Sequence, residues 1–241
     1  MVRSSRLLGL FAAFAVCSAL CLGALAGPAA GLSDAEYREM VEDPDFAKSD
    51  KRLNEVWSGL LKEGGLSKAG IRVLKADQAQ WVRKGRDTQA KILMEGGSTA
   101  LEAYTAATRL RADELPGIAG RIFLQDRPDG PQGYYVRREN GRETGWLSVR
   151  WTDKKAGEVS VDAEAILVLR PDNVRSGLWS GGGAVQKGVL KAPDEEGEGS
   201  ATFTFKGDRV QVATTSDFAS GSMGMGVTIE GTYVRQGLPK L

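Results

Sequence analysis

The hydrophobic period of this 241-residue chain changes once, near residues 116–120. Before that point apolar residues recur at every third or fourth position, which places them on one face of a helix. After it they alternate, which places them on one face of a strand. The change predicts an α+β protein in two parts. An N-terminal antiparallel helical bundle is expected over 33–115, and a C-terminal antiparallel β-barrel or sandwich over 120–237.

In the helical half, Ser33-Asp34-Ala35-Glu36 has the form of a capping box, in which serine and glutamate satisfy the orphan amides of a helix start. A second helix is expected from Phe46 to Lys62, with Leu53, Val56, Trp57, Leu60 and Leu61 on one side and Gly64-Gly65 at its end. Ser67 can cap a third, longer helix carrying Ile71, Leu74, Trp81 and Ile92 before Gly96-Gly97. Ser98 can cap a fourth, with Leu101, Tyr104, Ala107 or Thr108, and Leu110 or Leu115 turned inward. Pro116-Gly117 is expected to stop it. Within the third helix, Leu74, Gln78, Trp81 and Gly85 share one stripe at about 100° per residue. Trp81 then faces a neighbouring helix, and the charges of Arg86 and Asp87 beside it need partners.

In the second half, ATFTFKGDRVQVATT alternates through Phe203 and Phe205, turns at Lys206-Gly207-Asp208 and resumes through Val210 and Val212. That pattern predicts a hairpin. GEVSVDAEAILVL and GVTIEGTYVR supply further alternating runs, whereas KAPDEEGEGS is expected to be a solvated loop. Trp146, Trp151, Trp179, Tyr134 and Tyr135 are either core residues or, if they line an open barrel mouth, a stacking surface for sugar or an apolar ligand.

Composition narrows the chemistry. The chain has no histidine, and its two cysteines, Cys17 and Cys21, lie in a leader that runs from two arginines through an apolar stretch to Ala24-Leu25-Ala26. This is the order of a secretory signal over 1–26, with an uncleaved anchor as the alternative. Cleavage leaves no thiol. Ser-His-Asp triads, Cys-His pairs and zinc sites with the usual ligands are then excluded, and no motif points to a cofactor or a metal. Removing Arg3 and Arg6 changes the balance from 32 bases against 31 acids to 30 against 31, which gives no general reason to expect nucleic acid as a partner.

The stretches SDKRLNEVW (49–57), LKADQAQWVRKGRD (74–87) and TAATRLRADEL (105–115) resemble the LprI-like lysozyme-inhibitor N-terminal domain family over residues 37–115. The family's first stretch falls on Asp50, Leu53, Asn54 and Trp57, with tryptophan in tyrosine's place. Its second falls on Leu74, Asp77 or Ala79, Gln80, Trp81, Arg86 and Asp87. Its third falls on Thr105 or Thr108, Arg109 and Leu115. Ala90 and Tyr104 stand where two of the family's cysteines are expected. The resemblance implies a polar cluster of Asn54, Trp81, Arg86 and Asp87 that fixes helix register, or alternatively a ligand site there.

Near the C-terminus, SGSMGMGVTIEGTYVRQG (220–237) is similar to the membrane-bound c-type lysozyme inhibitors, with Arg235 in the place of their lysine. That likeness implies a binding set of Ser220, Ser222, Tyr233 and Arg235 directed at a lysozyme's catalytic carboxylates. The alternative for the same segment is a structural glycine-rich turn. The resulting expectation is a non-enzymatic periplasmic or secreted binding protein of the cell envelope, without stable membrane insertion after cleavage. Lysozyme or a related muramidase is its expected partner, and a small-ligand or glycan-binding β-domain is the alternative.

Overall fold

The computed structural model describes residues 33–170, 173–193, 199–215, 224 and 226–240. The leader, most of the acidic loop after Pro193, and Ser220 and Ser222 lie outside these residues. The protein is α+β, with helices followed by an eight-stranded antiparallel sheet that curls into a nearly closed barrel.

The helix starts follow their caps. α1 (Asp34–Val41) begins at the expected capping box: the Ser33 N–H donates to Glu36 Oε2 at 2.8 Å, and Ser33 Oγ accepts from the Glu36 N–H at 3.3 Å. α2 (Pro44–Glu63) starts two residues before Phe46, because Asp43 caps it and Pro44 occupies its first position, where the missing N–H costs nothing. α3 (Lys68–Gln80) is capped by Ser67 as expected.

The third helix is not uniform. A π-helical turn, Trp81–Gly85, separates α3 from α4 (Arg86–Glu95), and the Arg86 N–H bonds the Trp81 carbonyl five residues back. Such a turn takes in one extra residue, about 100° of α-helical rotation. Trp81 is buried as expected, but Ile92, placed on the same stripe by an unbroken period, is 62% exposed, and Ala90 is buried instead. Gly85 accompanies the turn because a Cβ there would lie 2.8 Å from Cδ1 of Trp81.

The last helix corrects the expected boundary. α5 (Ala100–Asp126) is capped by Thr99 rather than Ser98, in a second capping box with Glu102, and runs through Pro116-Gly117 to Asp126. Proline inside a helix costs about 3 kcal/mol, and packing offsets it. Ala112 and Leu115 before the proline, and Ala119 and Ile122 after it, enter one core with Leu53, Val73 and Leu74. Leu110, an inward candidate, is exposed, and Leu115 takes the buried position. The end of α5 also anchors α3, since Asp126 accepts from the Ser67 N–H at 2.9 Å and its Oγ at 2.8 Å.

The strands are β1 (Gly133–Glu139), β2 (Arg142–Asp153), β3 (Glu158–Arg170), β4 (Asn173–Ala184), β5 (Val189–Pro193), β6 (Ser200–Lys206), β7 (Arg209–Thr214) and β8 (Gly231–Arg235). Their order is β4-β3-β2-β1-β8-β7-β6-β5, so every chain neighbour is a sheet neighbour except β4 and β5. Those two edges lie side by side and nearly complete the barrel. The expected β6–β7 hairpin forms, with Phe205 opposite Val210 and Gly207 at φ 61° in the turn. A second hairpin joins β1 to β2 through Asn140-Gly141, both at positive φ, the residue pair that a two-residue turn favours.

Alternating residues fill the barrel: Leu147, Val149, Val159, Val161, Trp179, Leu190, Phe203, Val210, Val212 and Ile229 share one core with Tyr135 and Tyr233. The outer face of β1 and β2 is covered by α5, where Leu124 and Phe123 pack on Tyr134, Val136 and Trp146. The helical part is thus fastened to the barrel by its longest helix. Leu238, beyond β8, returns to the helical core.

Candidate functional site: a cleft at one end of the barrel

β1 and β8 carry the same tripeptide, Tyr135-Val136-Arg137 and Tyr233-Val234-Arg235, in antiparallel register with Tyr135 opposite Arg235. Each arginine lies over the other strand's tyrosine: Arg235 is 5.1 Å from the Tyr135 ring centre and Arg137 is 5.6 Å from that of Tyr233. The two cations therefore sit towards opposite ends of the interior.

At one end Arg235 is closed in. Its Nε and Nη2 donate to Tyr135 Oη at 3.2 and 2.5 Å, and Nη2 also donates to the Gly130 carbonyl. The Tyr135 hydroxyl in turn donates to Pro131 O at 2.7 Å. Trp151 seals the same end, its Nε1 donating to Asp129 O at 3.1 Å.

Among the described residues the other end is open. A cleft of about 600 Å³ there is lined by Arg137, Glu139 and Glu230, by Ile166, Leu167 and Val212, and by Gln211, Ala213, Thr228 and the glycines 226 and 231. Arg137 forms its floor and is held from several sides. Nε donates to Thr144 Oγ1 at 3.1 Å, Nη2 to Thr144 O at 3.1 Å, and Nη1 to Thr228 O at 3.0 Å and to Glu230 O. The Glu139 carboxylate stands 3.6 Å from Nε. Glu230 Oε1 accepts from the Thr214 hydroxyl at 2.6 Å and from its N–H at 2.9 Å, and these bonds hold the carboxyl below the usual glutamate range. Glu230 is therefore charged at neutral pH. The size falls within the range of small-molecule sites, about 300–1,000 Å³.

The expected binding set is divided by this geometry. Tyr233 is fully buried, donates its hydroxyl to Ile229 O at 2.9 Å and has its pKa pushed up to about 12 by burial, so it offers a partner no surface. Arg235 is committed to the closed end, and Ser220 and Ser222 lie outside the described residues. The aromatic residues form no stacking row at the mouth either. Trp179 and Tyr135 are in the core, Trp146 and Tyr134 are stacked at 6.0 Å under α5, and Trp151 is at the closed end.

The expected helical cluster is also regrouped. Asn54 stands apart on an exposed face of α2, bonded to the Asp50 carbonyl and carboxylate at 3.0 Å each. Trp81 donates Nε1 to Gln89 at 2.9 Å and stacks its ring 5.6 Å from the Arg111 guanidinium. Arg111, buried, donates to Gln78 at 2.9 Å and to Asp77, with Glu114 at 3.7 Å. Burial raises the Glu114 carboxyl above its ordinary value against the pull of Arg111. Arg86 and Asp87 belong to a neighbouring group: the guanidinium lies 5.8 and 5.9 Å from the Tyr37 and Tyr104 rings, and Asp87 accepts from the Tyr104 hydroxyl at 3.2 Å.

Sequence reasoning missed Arg111, Gln89 and Glu114 in the helices and Arg137, Glu139 and Glu230 at the cleft. The repeated Tyr-Val-Arg was the available signal for Arg137. Among the described residues no group of three His, Cys, Asp or Glu side chains is placed to hold a metal ion, and no helix is long and apolar enough to cross a membrane. Compared with known proteins, the chain matches no family model, no curated protein and no solved structure.

Proposed function

We propose that this protein binds a small organic molecule in the open end of its barrel. The observation that carries the reading is the cleft itself, where a wall of Ile166, Leu167 and Val212 meets the polar side chains of Arg137, Glu139 and Glu230. Apolar walls supply affinity in such sites and a few placed polar groups supply orientation. The asymmetry of the barrel supports the choice of end, since Arg235, Tyr135 and Trp151 close the opposite one. Among the described residues the cleft lining contains no aromatic ring on which a sugar could stack, which favours a non-glycan ligand.

On this reading the helices brace the barrel wall through α5. Export to the periplasm or the exterior belongs to the same proposal and rests on the composition of the leader. Inhibition of a lysozyme, the function implied by the LprI-like resemblance, is the second reading; it would have to use a surface other than Tyr233 and Arg235.

A fragment library screened by amide and methyl NMR against the full chain tests the first reading. Hits should cluster on Ile166, Leu167, Val212 and Ala213 and be lost in Leu167→Trp, which adds ring volume beside Gly226 in the cleft. Hits that cluster elsewhere, or persist in that variant, would overturn it. A cell-wall turbidity assay on the same two proteins tests the second: inhibition that survives Leu167→Trp would establish a binding surface independent of the cleft.

A further inference from the structure

Building on the cleft as a ligand site, we infer that its ligand is an organic cation, an ammonium group on an apolar body, with the ammonium held by Glu139 and Glu230.

The sign of the ligand follows from which polar groups are already satisfied. Among the described residues Arg137 is the cation lining the cleft, and an anionic ligand would need its N–H groups. A guanidinium has five. Four of those of Arg137 are spent on Thr144 Oγ1, Thr144 O, Thr228 O and Glu230 O, and its face is covered by the Tyr233 ring at 5.6 Å. These acceptors come from three directions and leave the group no freedom to swing towards a ligand. Arg137 therefore acts as a structural plug for the barrel core.

The acceptors are in the opposite condition. Glu139 approaches Arg137 only at 3.6 Å, beyond hydrogen-bond distance, with its side chain 63% exposed. Glu230 uses Oε1 for Thr214, and among the described residues its Oε2 has no hydrogen bond. Among the described residues the cleft thus presents two carboxylates against one guanidinium with four of its five donors spent, so its unmet demand is for positive charge and N–H donors. An ammonium group brings both, with three donors. Beside these carboxylates, Leu167 and Val212 give the ligand's carbon chain an apolar wall. A polyamine without an apolar portion would leave that wall wet, and a fatty acid would set like charges together.

Isothermal titration of the full chain at low salt with n-octylammonium, n-octanol and n-octanoate separates the possibilities, because the three share one chain and differ in head group. Octylammonium should bind, octanol more weakly, and octanoate not at all. The double variant Glu139→Gln/Glu230→Gln should weaken octylammonium by about tenfold or more while leaving octanol unchanged. Glutamine preserves an acceptor for Thr214, so a folded variant is expected, and its circular dichroism melt checks that. Leu167→Trp, whose ring would fill the space beside Gly226, should abolish binding of every ligand that uses the cleft. If octanol or octanoate binds as tightly as octylammonium, with loss in Leu167→Trp, the cleft stands and the cationic assignment is overturned. If none of the three binds, or Leu167→Trp has no effect, the cleft reading is overturned with it.

Discussion

Trp81→Ala offers the sharpest test of how the helical part is held together. The indole is 6% exposed, donates to Gln89 at 2.9 Å and carries the Arg111 guanidinium at 5.6 Å from its ring. Truncation removes a large buried aromatic, which typically costs about 3–5 kcal/mol. Within that sum the hydrogen bond contributes about 1 kcal/mol, and the stacked guanidinium contributes about 2 kcal/mol at a desolvated site. The rest is apolar area and the cavity left behind. Trp81→Phe separates these parts, since it keeps an aromatic face under Arg111 and loses the N–H, for an expected cost of about 1–2 kcal/mol. In urea unfolding followed at 222 nm, with a slope of about 2–3 kcal/mol/M, Trp81→Ala should lower the helical midpoint by about 1–2 M and Trp81→Phe by less than half of that. Octylammonium affinity should not change, because Trp81 lies outside the cleft. A midpoint within about 0.3 M of the parent for Trp81→Ala would refute the reasoning, as would a phenylalanine variant as damaged as the alanine one.

Two further expectations concern α5 and the face it covers. Pro116 is exposed within a continuous helix, so Pro116→Ala should stabilise the protein by about 1–3 kcal/mol and raise Tm by several degrees; a lower Tm in differential scanning calorimetry would show that the proline shapes the helix instead. Glu164, buried beneath α5 and accepting from Trp146 Nε1 at 2.7 Å, has its carboxyl raised by burial. The native state then holds a proton that the unfolded chain releases, and stability falls as pH rises through that window. Glu164→Gln keeps the acceptor without the charge, so its advantage over the parent should be absent near about pH 4 and grow towards neutrality; a pH-independent difference in urea midpoint would refute this.

How much the sequence settled by itself depends on how local the deciding interactions are. The caps at Ser33 and Ser67, the end of α2 at Gly64-Gly65 and the turn at Gly207 are satisfied by atoms a few residues away, and each was readable. The switch of period predicted helices followed by antiparallel strands, and the inward residues of β3, β6 and β7 were readable from their alternation. Where a long-range contact outweighed a local preference, the reading failed. Pro116 is a local stop, yet the burial of Ala119, Ile122 and Leu124 against elements far away in the chain carries α5 past it and moves the boundary to Asp126. The π turn has no signature in the spacing of apolar residues, and it rotates everything after Gly85, which placed Ile92 wrongly and hid Gln89 as the partner of Trp81.

The candidate site was less accessible still. Tyr233 and Arg235 stood out as chemically capable residues, but only barrel closure decides that they point into the core and the closed end. The same closure brings Glu139 of β1 and Glu230, just before β8, to the same arginine. Periodicity determines which residues face inward, because the face of a strand is a local property of the pleat. Which end of a barrel is open, and which charges there remain unpaired, is decided by strands that meet only in three dimensions.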